Sequence, residues 1–149
     1  MSSEEVIVEL SVLSQKDKEL CLKSMEMRSE AYCPYSKFSV GAALRCADES
    51  IVAGCNVENA SYGLSICAER TAIVSAVASG KKEFTSIAIS ADLQNDEFAS
   101  PCGACRQFMA EFDPKLPIFL VRHDSKVLIT NLERLLPNAF SPQNTDLPF

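Results

Sequence analysis

Between Gln15 and Tyr32 the apolar residues Leu20, Cys21, Met25, Met27, Ala31 and Tyr32 recur roughly three to four positions apart among charged ones, which predicts an amphipathic helix. Pro34 marks where that helix must have stopped, because a proline drives the residue before it out of helical geometry. The pattern then changes. Phe38 to Cys46 and Ile51 to Val57 are apolar, partly β-branched runs joined by Ala47, Asp48, Glu49 and Ser50, a polar link short enough for a hairpin of two antiparallel strands. Helical spacing returns from Cys67 to Ala78, through Ala72, Ile73, Ala76 and Val77, and Gly80 is a suitable terminator.

Ser86 to Ala91 reads as a buried strand, and Pro101 to Phe112 as a further helix, with one proline at its start and Pro114 beyond its end. Ile118 to Val121 and Val127 to Thr130 add two strands; Leu132 to Leu136 reads as a short last helix before a tail broken by Pro137, Pro142 and Pro148. Strands alternating with helices predict an α/β fold, a three-layer α/β/α sandwich around a central five-stranded mixed sheet, in which crossover helices return each strand parallel to its neighbour. Ligands in such folds gather at helix starts. A chain of 149 residues suits one domain, here taken as 1–149, with flexible ends expected at about 1–14 and 142–149.

Composition narrows the classes of function. An apolar fraction of 47% with 23% charged residues is ordinary for a globular protein. No apolar run approaches the roughly 20 residues that span a bilayer, and the opening residues lack a basic segment followed by an apolar one, so a cytoplasmic protein with no membrane partner is expected. A net charge of −6, with no cluster of Lys and Arg interleaved with aromatics, argues against a nucleic-acid partner. Seven cysteines, an odd number, point to reduced thiols or metal ligands more than to a disulfide framework.

Cys102-Gly103-Ala104-Cys105 is a C-x2-C pair at a predicted helix start, where amide dipoles favour thiolates and two sulfurs can converge on one soft cation. Taken alone it reads equally as a metal pair, a redox dithiol or two buried cysteines. Cys67, at another predicted helix start, shifts the balance toward zinc with three protein ligands and one open position, the arrangement of a hydrolytic rather than a structural site. Glu69, two residues on, stands where a carboxylate can reach metal-bound water without ligating the metal, a natural proton shuttle; it also reads as an ordinary first-turn carboxylate favourable to the helix dipole. Three thiolates around Zn²⁺ leave a net charge of −1, which calls for a nearby cation. Cys21, Cys33, Cys46 and Cys55 lie in helical or strand patterns and read as small buried hydrophobes, and His123, the lone histidine, as a surface-turn residue.

Cys67-Ala-Glu-Arg70, followed 31 residues later by Pro101-Cys-Gly-Ala-Cys-Arg-Gln107, resembles the zinc signature of the cytidine deaminases. The likeness extends from Ala31-Tyr-Cys-Pro-Tyr-Ser-Lys-Phe-Ser-Val-Gly41 through Asn56-Val-Glu-Asn-Ala-Ser-Tyr62 to Leu135-Leu-Pro-Asn-Ala-Phe-Ser-Pro142, and is to the small homotetrameric, all-cysteine class. The resemblance implies one Zn²⁺ per subunit on Cys67, Cys102 and Cys105. It implies hydrolysis at C4 of cytosine, with Glu69 moving a proton to N3 and then to the departing ammonia. Cytidine and 2′-deoxycytidine, as free nucleosides, would become uridine and 2′-deoxyuridine in pyrimidine salvage. Arg70 would hydrogen-bond the zinc thiolates, Asn56 and Glu58 would bind the sugar from one strand edge, and Phe38 would pack on the pyrimidine. Ala68 would touch the substrate, and Phe140 would reach a neighbouring subunit's site. Three rivals remain: a deaminase of another aminopyrimidine such as blasticidin S, a polynucleotide editor, and a zinc-stabilised interaction module in which Cys55 or another cysteine closes the coordination shell.

Overall fold

The computed structural model describes residues 4–145. Its elements follow in the order β1 (Val6–Glu9), α1 (Gln15–Met27), β2 (Val40–Cys46), β3 (Ile51–Cys55), α2 (Ala68–Ala78), β4 (Phe84–Ala91), α3 (Gly103–Ala110), β5 (Pro117–Val121), β6 (Lys126–Asn131) and α4 (Leu132–Leu135). The sheet has six strands in the order β1-β6-β5-β4-β2-β3, one more than the five expected. The extra strand lies within residues 1–14, where a flexible end was expected: Val6–Glu9 pair antiparallel with Lys126–Ile129. Val6 and Ile7 remain exposed, so this short edge strand shows no clean inside-outside alternation, the signal by which strands are read. The far end of the expected tail, 146–149, lies outside the described residues.

Strand alternation sorts side chains onto the two faces of the sheet. Ala42, Leu44, Ile87, Ile89, Ile118 and Leu120 point to one side, where they pack with Ala72, Ile73 and Ala76 of α2 and Met109 of α3. Their neighbours Ala43, Ala88, Phe119 and Val121 point to the other, against Leu20 and Cys21 of α1. The result is three layers, with α1 on one face and α2 and α3 on the other. Only β4 and β5 are parallel neighbours. The chain leaving β3 through α2 returns not beside β3, as the crossover argument expected, but beyond β2, so β4 lies antiparallel to β2. Since β3 and β4 run the same way, α2 and α3 both start from one end of the sheet, and this places the site.

The hairpin between β2 and β3 turns through Glu49 in left-handed backbone, with φ of 69°. Asp48 secures it, accepting from the Ser50 amide at 3.1 Å, from its hydroxyl at 2.5 Å and from Lys81 Nζ at 2.5 Å. The Lys81 and Ser50 hydrogen bonds hold the Asp48 carboxyl down at about 2, against an ordinary 3.8. A depressed carboxylate contributes stability above its unfolded pKa and loses it as pH falls through its folded one. Asp48→Asn should therefore unfold at lower urea than the parent protein at pH 7, with the gap closing between pH about 4 and about 2. Urea midpoints measured across that range check it; a gap that stays constant contradicts it.

Candidate active site

Cys67 and Cys102 are the N-cap residues of α2 and α3, and Cys105 lies in the first turn of α3. Both caps have extended backbone; Cys102 Sγ accepts from the Cys105 amide at 3.5 Å, whereas the Cys67 side chain makes no such bond to its own helix. Two helix N-termini thus meet at three sulfurs, all within 4.8 Å of one another. A zinc ion bonded to sulfur at about 2.3 Å in tetrahedral geometry holds its sulfurs about 3.8 Å apart. Cys67 and Cys102 Sγ are 3.9 Å apart, so the donors fit zinc in kind and in spacing. No further His, Cys, Asp or Glu joins the cluster among the described residues. Cys55, the cysteine considered for closing the shell, instead donates to the Glu30 carbonyl at 3.4 Å.

The positive charge that three thiolates require is present. Arg70 Nη2 donates to Cys67 Sγ at 3.4 Å, and the pair holds the guanidinium firmly protonated. The Cys105 hydrogen bond, reinforced by Arg70, draws the Cys67 thiol down to about 5, and the same contact with Cys67, together with burial, pushes the Cys105 thiol up. One of the two sulfurs is thus favoured as a thiolate, the form in which cysteine binds a metal. Glu69 is 4% exposed; burial raises its carboxyl above the ordinary value and charge on Cys67 adds to the rise.

The placement of α2 follows from a close approach by β3. A Cβ at Gly54 would lie 2.5 Å from the Ala72 amide nitrogen and 2.8 Å from the Ala68 carbonyl oxygen, so the helix rests directly on bare backbone. Between β3 and α2 the chain doubles back, and Val57 and Ile66 exchange amide-to-carbonyl bonds at 2.9 and 2.8 Å. Asn56 and Glu58 flank Val57 and Cys67 follows Ile66, so these two bonds set the polar residues against the metal ligands.

Asn56 and Glu58 do not stand on a strand edge as expected, because β3 ends at Cys55. Their side chains hold backbone. Asn56 Oδ1 accepts from the Val40 amide and Nδ2 donates to the Phe38 carbonyl, each at 2.8 Å. Glu58 accepts from the Tyr35 and Ser36 amides, both at 3.2 Å, and from the Ser36 hydroxyl, which holds its carboxyl below the ordinary value. These bonds fix the segment in which Lys37 is left-handed, with φ of 58°, and so place Phe38. One Nδ2 hydrogen and part of the Glu58 acceptor capacity remain for a ligand.

Phe38, Asn56, Glu58, Cys67, Ala68, Glu69 and Cys102 line one cavity of about 270 Å³. Val40, Ser65, Ile66, Ile89, Ala99 and Ser100 complete it, and none of these carries a chemical signature that sequence could single out. Phe140 is not among the lining residues; it lies on the carboxyl-terminal segment and is 66% exposed. A larger cavity of about 410 Å³, which Phe140 lines together with Lys115, Glu133 and Asn138, holds none of the cysteines. Cys21 and Cys46 are buried as expected, whereas Cys33, in the loop after α1, and Cys55, at the end of β3, are only half-buried. His123 sits exposed in the turn after β5.

The model of the cytidine and deoxycytidylate deaminase zinc-binding region matches residues 14–121. A cytidine deaminase of Sporosarcina psychrophila is 44% identical over 128 residues, covering 85% of this chain and 93% of its own. A blasticidin-S deaminase of Bacillus cereus is 32% identical, covering 87% and 95%. The crystal structure of the cytidine deaminase of Burkholderia pseudomallei superposes with a TM-score of 0.79 at 44% identity, covering 86% of this chain and all of that one. With three thiolates at two helix starts and a buried glutamate beside them, this chain belongs to the zinc-dependent cytidine and deoxycytidylate deaminase family.

Proposed function

We propose that the protein deaminates free cytidine and 2′-deoxycytidine to uridine and 2′-deoxyuridine, releasing ammonia. The observation that carries the reading is the sharing of one cavity by Cys67 and Cys102 of the thiolate cluster, the buried Glu69 and the two polar residues Asn56 and Glu58. Cys67, Cys102 and Cys105 would hold a zinc ion, which when bound would supply water activated at neutral pH. Glu69 takes a proton from the attacking water and delivers it to N3, then moves the proton of the new C4 hydroxyl to the amine, so that ammonia departs as the C4 carbonyl forms; burial raises its carboxyl, which suits a group that must hold and release a proton. Phe38 stacks on the pyrimidine and Ala68 meets the base. Asn56 and Glu58 hold the sugar hydroxyls with the hydrogen-bonding capacity that the backbone leaves free. Arg70 offsets thiolate charge.

The cavity lining carries two carboxylates and no Lys or Arg, which favours an uncharged nucleoside over a phosphorylated one. A net charge of −6 disfavours a polynucleotide. Phe140 projects from the chain that bears it and suits a role in a neighbour's site, so we propose a homotetramer with shared sites. Among the described residues no helix is long and apolar enough to cross a membrane; we assign the activity to pyrimidine salvage in the cytoplasm.

Zinc-loaded protein should be offered cytidine, 2′-deoxycytidine, blasticidin S and a cytosine-containing single strand, with ultraviolet absorbance and ammonia followed together. Turnover of the two nucleosides is expected. Turnover of blasticidin S alone would replace the nucleoside reading with the first rival, and turnover of the single strand alone with the second.

A further inference from the structure

The carboxyl-terminal segment is tied to the metal helix by two consecutive residues, Arg106 and Gln107. Arg106 spans three groups: its Nε donates to the Pro101 carbonyl at 2.8 Å, Nη1 to the Leu135 carbonyl at 2.8 Å and Nη2 to Ser100 Oγ at 2.9 Å. It thereby joins the loop entering Cys102 to the end of α4. One residue on, Gln107 Nε2 donates to the carbonyl of Phe140 itself at 2.7 Å. Ala139 and Ser141, on either side of Phe140, are buried, so the backbone at this point is pinned while the ring stays in the open.

Gln107 is exposed, as is its acceptor residue, so this bond replaces bonds to water and adds little to stability. What it fixes is direction. With the residues around it buried, the bond fixes the backbone that carries the ring, and a donor rooted in α3 ties that backbone to the helix that holds Cys102 and Cys105.

We propose that Gln107 is a positioning residue for substrate binding, acting through Phe140, so that the metal helix of one subunit sets the aromatic wall of its neighbour's site. This rests on the reading of Phe140 given above. In Gln107→Met, which keeps length and removes the donor, KM for cytidine should rise about 3–10-fold, the worth of one hydrogen bond. The same variant should keep kcat within about twofold, and zinc content and light-scattering mass unchanged. Gln107→Lys, which restores a donor of similar reach, should recover most of the loss. Phe140→Ala should raise KM further, and adding Gln107→Met to it should change nothing more, because the donor acts only through that ring. If Phe140→Ala raises KM while Gln107→Met does not, or the two effects multiply, the positioning role is wrong and the shared-site reading survives. If Phe140→Ala leaves KM unchanged, both fall.

Discussion

Glu69→Gln should lower kcat/KM for cytidine by about 10²–10⁴, the usual worth of a positioned acid-base group, and leave one zinc ion per chain in place. The substitution preserves shape and hydrogen-bonding length, so a residue that is 4% exposed is replaced without a cavity. It removes the ability to hold and release a proton. Retention of zinc is part of the expectation, because the cluster that fits the metal consists of Cys67, Cys102 and Cys105 without the carboxylate. Activity measured beside zinc content by atomic absorption checks both halves. A variant that loses the metal would make Glu69 a ligand, and one that keeps full activity would remove it from the reaction.

Gly54→Ala should have the second-largest effect, from a position that touches neither metal nor substrate. The added methyl would sit 2.5 Å from the Ala72 nitrogen, and the offending atoms are helix backbone, which no side-chain rotation can relieve. Either β3 or the first two turns of α2 must shift, and Cys67 and Glu69 ride on that end of the helix. Overpacking of this kind costs about 1–3 kcal/mol. In a chain of this size that lowers the melting temperature by about 2–10 °C. The same variant should release zinc to a chelator faster than the parent protein. Gly63→Ala, where an added Cβ meets nothing within 4 Å, is the control and should behave as the parent does. Scanning calorimetry with a chelator challenge tests the pair; equal behaviour of the two variants would show that the close approach does not govern the site.

How much of this was legible in the sequence differs from element to element. The starts of α2 and α3 could be read because a proline, a turn and helical spacing coincide with cysteines, and cysteines that bind a metal must sit where amides support thiolate charge. Those local rules single out Cys67, Cys102, Cys105 and Glu69 without knowledge of the rest of the chain, whereas the role of Arg70 comes from the family resemblance. Asn56 and Glu58 could be picked out but not oriented. The resemblance picks them out and the apolar run to Val57 puts them on a strand edge, whereas the strand ends at Cys55 and their side chains turn to the backbone of Tyr35 to Val40, a contact between segments about 20 residues apart.

The edge strand β1 escaped for a related reason. Its pairing partner β6 lies more than 100 residues away, and exposure of Val6 and Ile7 blurs its alternation. The return of β4 beyond β2 likewise depends on which strands find one another, which local spacing does not encode. Arg106 and Gln107 fall within the signature but carry no role of their own in the sequence; their partners become visible only when the chain folds α4 and Phe140 back against them.

The most direct test of the account is turnover of cytidine before and after the metal is removed. Protein purified with zinc should carry one ion per chain and convert cytidine to uridine with an equal amount of ammonia. It should lose that activity when a chelator strips the metal, and regain it when zinc is returned. Zinc bound at the three cysteines with cytidine left untouched would contradict the account, and would make the site a structural one.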